Sequence, residues 1–222
     1  MSVAPLTGVR IAVTRAEGRG GPLVDALRAA GATVTELPLT RIESLDPAPL
    51  ANALSNLRDY AWILLTSVNA VHHLASALKA QGHAYRDVLR AHKLAVVGSA
   101  TAQAAEELGW QATLVPERFL AEGLVDAMAM RSDVDGARML YPAAEGARDV
   151  LPAGLRALGA AVDVIPVYRS APDPEGQRTL RTMVSRASWI WLQSRRRVRS
   201  TRCLPRCRPS MRDDCPSRVL AQ

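Results

Sequence analysis

The sequence contains one stretch twice, and this duplication limits how the chain can fold. Residues 27–41 read LRAAGATVTELPLTR and residues 155–169 read LRALGAAVDVIPVYR, with eight positions identical in register. Each copy predicts a helix end, a glycine able to adopt the left-handed conformation, and a short apolar strand containing proline. Because proline lacks an N–H group, such a strand suits a sheet edge or a two-stranded ribbon. We interpret the copies as the two chain crossings, lying side by side, between one domain and a second domain inserted into it. The alternative is that two ordinary helix–glycine–strand connections are similar by chance.

Apolar strands alternate with helices rich in Ala and Leu along most of the chain. Strands are predicted at 9–15, 34–39, 61–67, 93–98, 112–115, 138–142, 162–167 and 189–192. Helices are predicted at 22–30, 50–57, 68–78, 99–108, 121–130, 147–158 and 173–184. This alternation predicts the α/β class, with two doubly wound parallel-sheet domains joined by a two-stranded linker.

The repeat also predicts the domain boundaries. The expected parts are a discontinuous first domain (1–36 plus 171–193), linker strands (37–43 and 164–170), an inserted domain (44–163) and an irregular basic tail (194–222). Only one strand is predicted after the second crossing, so we expect the first domain to be truncated. The inserted domain contains complete strand–helix units and should bury a core by itself.

The basic tail accounts for the charge of the whole chain. Residues 194–222 contain nine Arg and two Asp, so this segment carries a net charge of +7, the same as the whole chain. It also contains all three cysteines. The tail shows neither helical nor strand periodicity. Enrichment in Arg, Cys, Pro and Ser is what a GC-rich gene gives when it is read out of frame, and this is our hypothesis. A basic arm for nucleic acid is the alternative, although no aromatic residue follows Trp191 to stack on bases.

Polar residues follow three of the predicted strands, where helices begin. They lie in segments 66–69, 98–101 and 143–148. Helix capping by Ser, Thr and Asn would explain any one of them. Helix N-termini also bind anions, and ligands of parallel sheets lie beyond the carboxyl ends of the strands. Three such junctions in one domain therefore indicate a polyanionic ligand such as a polycarboxylate.

Several other classes of protein are disfavoured. His72 and His73 are adjacent and would point to different sides of a helix, and no cysteine precedes Cys203, so a metal site is not expected. No apolar run approaches the about 20 residues that span a bilayer. The N-terminus lacks the basic start and apolar centre of a signal peptide, so we expect a cytoplasmic location.

Five motifs, in order, resemble the uroporphyrinogen-III synthase family. They are VTR at 13–15, LPL at 37–39, LTSVNAV at 65–71, VVGSATA at 96–102 and IPVYR at 165–169. The resemblance runs from about Val9 to about Arg186, and the tail departs from the pattern of the family. The family fold, two α/β domains joined by a two-stranded ladder, agrees with the organisation predicted from the repeat.

The resemblance implies a cofactor-free lyase that converts hydroxymethylbilane, a linear tetrapyrrole with eight carboxylates, into uroporphyrinogen III with ring D inverted. Tyr168 matches the linker tyrosine of the family, a candidate proton donor for hydroxide departure; packing on the ladder is the alternative. Matching substrate-binding positions are Arg15, Thr66, Ser67, Ser99, Thr101 and Arg148. We expect a monomer. A non-catalytic α/β module that binds a small anion is the competing function.

Overall fold

A computed structural model of the chain describes residues 4–14, 21–82, 91–185 and 190–192 of the 222. The strands are β1 (Arg10–Val13), β2 (Thr33–Glu36), β3 (Thr40–Ser44), β4 (Trp62–Leu65), β5 (Lys93–Val96), β6 (Arg138–Ala144), β7 (Ala161–Pro172) and β8 (Ile190–Leu192). The helices are α1 (Gly21–Ala29), α2 (Ala48–Ser55), α3 (Val68–Ala80), α4 (Ser99–Glu107), α5 (Ala121–Ala129), α6 (Val150–Ala157) and α7 (Pro174–Ser185), and Leu57–Asp59 form a 3-10 turn. The predicted α/β class is confirmed.

The described strands form two sheets. One has the order β2-β1-β8 and is parallel, and the other has the order β3-β7-β6-β4-β5. In the larger sheet only β3 runs antiparallel to its neighbour. All four residues of β4 are buried, as expected for a strand covered by helices on both faces of a mainly parallel sheet.

The two proline-containing segments do not lie side by side as predicted, but the residues that follow each proline form an antiparallel ladder. Strand β3 pairs with β7 from Thr40 opposite Pro172 to Ser44 opposite Tyr168. The ladder is displaced from the predicted linker strands 37–43 and 164–170. The reason is that the N–H of Leu37 donates to the carbonyl of Val13 at 2.9 Å, so this residue continues the edge of the smaller sheet.

The expectation that a proline-containing strand lies at a sheet edge is wrong for β7, which contains Pro166. Strand β7 is an interior strand, between β3 and β6. Pro166 pairs with Ala143 of β6, whereas β3 begins its pairing only at Tyr168. The proline therefore has a neighbouring strand on one side only. This position is compatible with proline, because the other side has no strand that needs a hydrogen bond from its N–H group.

Local glycine geometry agrees with the repeat. Gly31 and Gly159 occupy equivalent positions in the two copies and adopt φ angles of 92° and 87°. Each follows a helix, and the left-handed conformation ends that helix as predicted.

Some predicted elements differ from the structure. Helix α6 begins at Val150 and not at 147, because a turn at Gly146, with φ 68°, comes first. The predicted strand 112–115 is reduced to a single bridge between Ala95 and Leu114. The predicted helix 50–57 divides into α2 and the 3-10 turn.

The core lies mainly on the two faces of the larger sheet. One cluster packs α2, α3 and α4 on one face, and a second packs α5 and α6 on the other. A smaller cluster, containing Ile11, Val13 and Val24, joins β1 to α1. The part of the chain between the two crossings therefore carries most of the described core.

The amino ends of the strands in the larger sheet are tied by a buried tyrosine. The hydroxyl of Tyr60 donates to Oδ2 of Asp163 at 2.6 Å, and the guanidinium of Arg138 lies 4.7 Å from the centre of the Tyr60 ring. Burial, with the nearby Asp163 carboxylate, raises the pKa of Tyr60 to about 12. The fold therefore favours the neutral hydroxyl.

This raised pKa predicts a stability loss at high pH. The unfolded-state pKa of tyrosine is about 10, so the contribution of Tyr60 is complete below that pH and is lost as pH rises through about 12. We expect the free energy of unfolding of the wild-type chain to fall more across this interval than that of Tyr60→Phe. Urea unfolding of both chains at several pH values measures the difference, and parallel pH dependences would contradict the assignment.

Candidate functional site

The carboxyl ends of β4, β5 and β6 lie at one edge of the larger sheet. Because these strands are parallel neighbours, the segments that follow them share that edge. Residues 66–67 lead into α3, Gly98 leads into α4, and residues 145–149 lead into α6. The three polar junctions predicted from the sequence therefore occupy one edge of the structure.

Ser67 and Tyr168 are joined at this edge. Ser67 is the N-cap of α3, and its Oγ accepts a hydrogen bond from the N–H of Ala70 at 3.1 Å. The same Oγ lies 2.9 Å from the hydroxyl of Tyr168 on β7, and either group can donate. Tyr168 is 8% exposed. The helix cap thus holds the tyrosine hydroxyl at the site.

The ring of Tyr168 is held by a second residue of α3. His73 stacks on it with ring centres 5.6 Å apart and planes 6° from parallel. The His73 side chain is half-buried. Burial, together with the neighbouring His72, lowers the pKa of His73. The ring is therefore mainly neutral near pH 7, which suits a stacked contact.

Thr66 makes the corresponding contact on the opposite face of the sheet. Its Oγ1 lies 3.1 Å from the hydroxyl of Tyr141 on β6. Burial raises the pKa of Tyr141, and the hydrogen bond with Thr66 opposes that increase. Sequence reasoning missed Tyr141 as a site residue, because a tyrosine within an apolar strand is also typical of a core position. The one sequence feature that could have indicated a site role for Tyr141 was its position near the carboxyl end of the predicted strand 138–142.

The remaining predicted residues lie in different surroundings. Ser99 is exposed at the first position of α4, after Gly98 with φ 93°, whereas Thr101 is 5% exposed. Arg148 is exposed after β6, with Nη1 3.7 Å from Oε1 of Glu122 on α5. It is close enough to Tyr141 to oppose, by its charge, the increase in the pKa of that tyrosine. Arg15 lies outside the described residues.

The described part of the chain shows neither a metal-binding cluster nor a helix that could span a membrane. Its residues contain no group of three or more His, Cys, Asp or Glu side chains that could hold a metal ion. None of the helices described by the structure is long and apolar enough to cross a membrane.

The known proteins that are similar to this chain agree with the family model that it matches. Residues 21–202 match the family model described as uroporphyrinogen-III synthase HemD. The chain is 38% identical over 172 residues to a uroporphyrinogen-III synthase of Synechococcus elongatus, covering 77% of this chain and 64% of that protein. It is 34% identical over 167 residues to the porphyrin biosynthesis protein HemD of Ruminiclostridium josui, covering 75% of this chain and 33% of that protein. It thus spans less than two thirds of the length of these relatives.

A solved structure supports the same fold. The chain aligns with a mutant uroporphyrinogen III synthase from Thermus thermophilus with a TM-score of 0.59, at 21% identity, over 82% of this chain and 70% of that one. At this identity the similarity is one of fold. The family model, however, matches residues 21–202, which is most of the chain. This chain belongs to the uroporphyrinogen-III synthase family.

Proposed function

We propose that the chain is a uroporphyrinogen-III synthase, which closes the linear tetrapyrrole hydroxymethylbilane to uroporphyrinogen III with ring D inverted and water released, and that its altered C-terminus impairs this activity. The observation that carries this proposal is the placement of the Tyr168 hydroxyl, bound to a helix cap at the edge of the larger sheet. Because the chain spans only part of the length of its relatives, the activity is an inference for this chain, supported by its family.

The reaction needs a proton for a departing hydroxide. Ser67 accepts a hydrogen bond from Ala70, so its own proton can be donated to the oxygen of Tyr168. This orientation leaves the tyrosine proton free for the hydroxymethyl oxygen, which departs as water when the carbon–oxygen bond breaks. The substituted carbon of ring D then attacks the azafulvene and forms a spiro intermediate. This intermediate fragments and recloses with ring D reversed.

The substrate carboxylates require donors around the tyrosine. We propose that they bind to hydroxyl, backbone N–H and guanidinium groups of the predicted residues, with Ser67 acting through the start of α3 because its hydroxyl proton is donated to Tyr168. The predicted residues are Arg15, Thr66, Ser67, Ser99, Thr101 and Arg148. The starts of α3 and α4 add the positive ends of two helix dipoles. Holding a flexible bilane in one folded conformation is largely an orientation effect.

We also propose a two-domain organisation for this function. The smaller sheet would belong to the first domain and the larger sheet to the inserted one, with the β3–β7 ladder as the connection. The first domain would be truncated, and the basic tail 194–222, which lies outside the described residues, would derive from another reading frame. A cytoplasmic, monomeric enzyme is part of the same proposal. Reading the coding DNA in all three frames beyond Trp191 tests the origin of the tail.

Product isomer analysis tests the function. We expect the chain with its present tail to give mainly uroporphyrinogen I from fresh hydroxymethylbilane, because free bilane closes without inversion and an incomplete first domain constrains it poorly. A chain with the reading frame restored should give mainly isomer III. Mostly isomer III from the present chain would contradict the effect of the tail. Isomer I alone from both chains would contradict the proposed activity.

A further inference from the structure

The tyrosine at the site is held by two contacts from a single helix. Ser67, at the N-cap of α3, contacts the hydroxyl of Tyr168 at 2.9 Å. His73, on the second turn of the same helix, stacks on its ring at 5.6 Å, with planes 6° apart. A hydrogen bond fixes one atom of a tyrosine but leaves the ring free to tilt about it. A parallel stacked ring removes that freedom.

We infer that His73 is a positioning residue for Tyr168, and that the stacked imidazole and the cap hydroxyl together orient the phenol toward the substrate. His73 has no other part in the proposed mechanism. The consequence for turnover rests on the proposed function, whereas the placement of the ring does not.

The neighbouring groups favour an orienting role over a charged one. His73 is half-buried on the side of the sheet that carries Leu74 and Val71, and burial lowers its pKa. A neutral ring contributes shape and stacking, and so a phenyl ring in its place should serve equally well. An aliphatic side chain should fill part of the volume but lose the flat contact.

The chain offers a matched control for this experiment. His72 precedes His73 on the same helix, and its side chain is exposed. His72→Leu therefore makes the same chemical change in the same helical turn without touching Tyr168. His73→Phe serves as the conservative variant that keeps the ring, and it guards against the possibility that His73→Leu disturbs folding.

The placement is measured first, on the full chain. The protein contains four tyrosines, and Tyr168→Phe identifies the ring signal of Tyr168 in a tyrosine-labelled NMR spectrum. A stacked ring shields its neighbour, so His73→Leu should move that signal downfield. His73→Phe should keep it shielded, and His72→Leu should leave it unchanged. An unchanged signal in His73→Leu would overturn the inference.

The kinetic consequence is measured in whichever form of the chain makes isomer III. His73→Leu should lower kcat about tenfold with KM within about twofold, His73→Phe should recover most of the loss, and His72→Leu should have little effect. In a Tyr168→Phe background, His73→Leu should cause no further loss, because it acts through that hydroxyl. Equal losses in both backgrounds, or an unchanged kcat, would overturn the inference. If neither form makes isomer III, the proposed function is wrong. The NMR shift alone then tests whether His73 positions the ring of Tyr168.

Discussion

Replacing Tyr168 by phenylalanine should lower the rate of isomer III formation by about 100-fold or more, measured in the frame-restored chain, because a general acid commonly contributes that much. The ring and its stack on His73 are retained. The fold loses only the hydrogen bond to Ser67, a change of about 1 kcal/mol in the free energy of unfolding. The loss of activity should therefore far exceed the loss of stability.

Tyr60→Phe is the matched control for this result. It also removes a buried tyrosine hydroxyl with a hydrogen-bond partner, the carboxylate of Asp163, but at the amino ends of the strands. Because that bond is to a charged group, the variant should lose about 1.5–3 kcal/mol of stability while its rate per folded molecule stays unchanged. An unchanged rate for Tyr168→Phe would leave Tyr168 a packing residue. Equal rate losses in the two variants would point to a general effect on the fold.

Met139→Ala should lower the free energy of unfolding by about 2–5 kcal/mol, the range for truncating a buried methionine. Met139 is 0% exposed on β6, where it pairs with Trp62 of β4 and Val162 of β7. The cavity would open between the central strands and the helices α5 and α6, where the surrounding side chains are already in contact. The change should affect the whole of the larger sheet.

Met130→Ala provides the comparison with the same chemistry. Met130 follows α5 and is 88% exposed, so its truncation should change the free energy of unfolding by less than about 0.5 kcal/mol. Urea unfolding of the two variants and the wild-type chain gives the difference. Similar values for the two methionines would mean that the second cluster contributes little to stability.

The local features of the fold could be predicted from the sequence. The apolar run at 62–65 predicted a strand buried on both faces, and the two equivalent glycines predicted the helix ends at residues 31 and 159. The order of the motifs indicated the family, which the comparisons confirm. The predicted site residues remain assignments by resemblance, and Arg15 and the tail lie outside the described residues.

The exact location of the ladder could not be predicted, because proline in a strand carries no information about how far the neighbouring strand extends. Strand β7 tolerates Pro166 inside the sheet only because β3 stops pairing at Tyr168. The register of two strands so far apart in sequence depends on the packing of everything between them. The repeat predicted that the two proline-containing strands would pair, whereas the structure pairs the residues that follow each proline.

The contacts of the site likewise depended on the tertiary structure. Ser67 and Tyr168 are 101 residues apart, and Thr66 and Tyr141 are 75 residues apart. By itself the sequence determined the periodicity, the helix caps and the chain reversals, because these depend on backbone conformation and on neighbours within a few residues. The partner of each hydroxyl, and the histidine that stacks on Tyr168, were decided only by the strand order β7-β6-β4 and by the position of α3 against it, because those two features bring distant residues within contact distance.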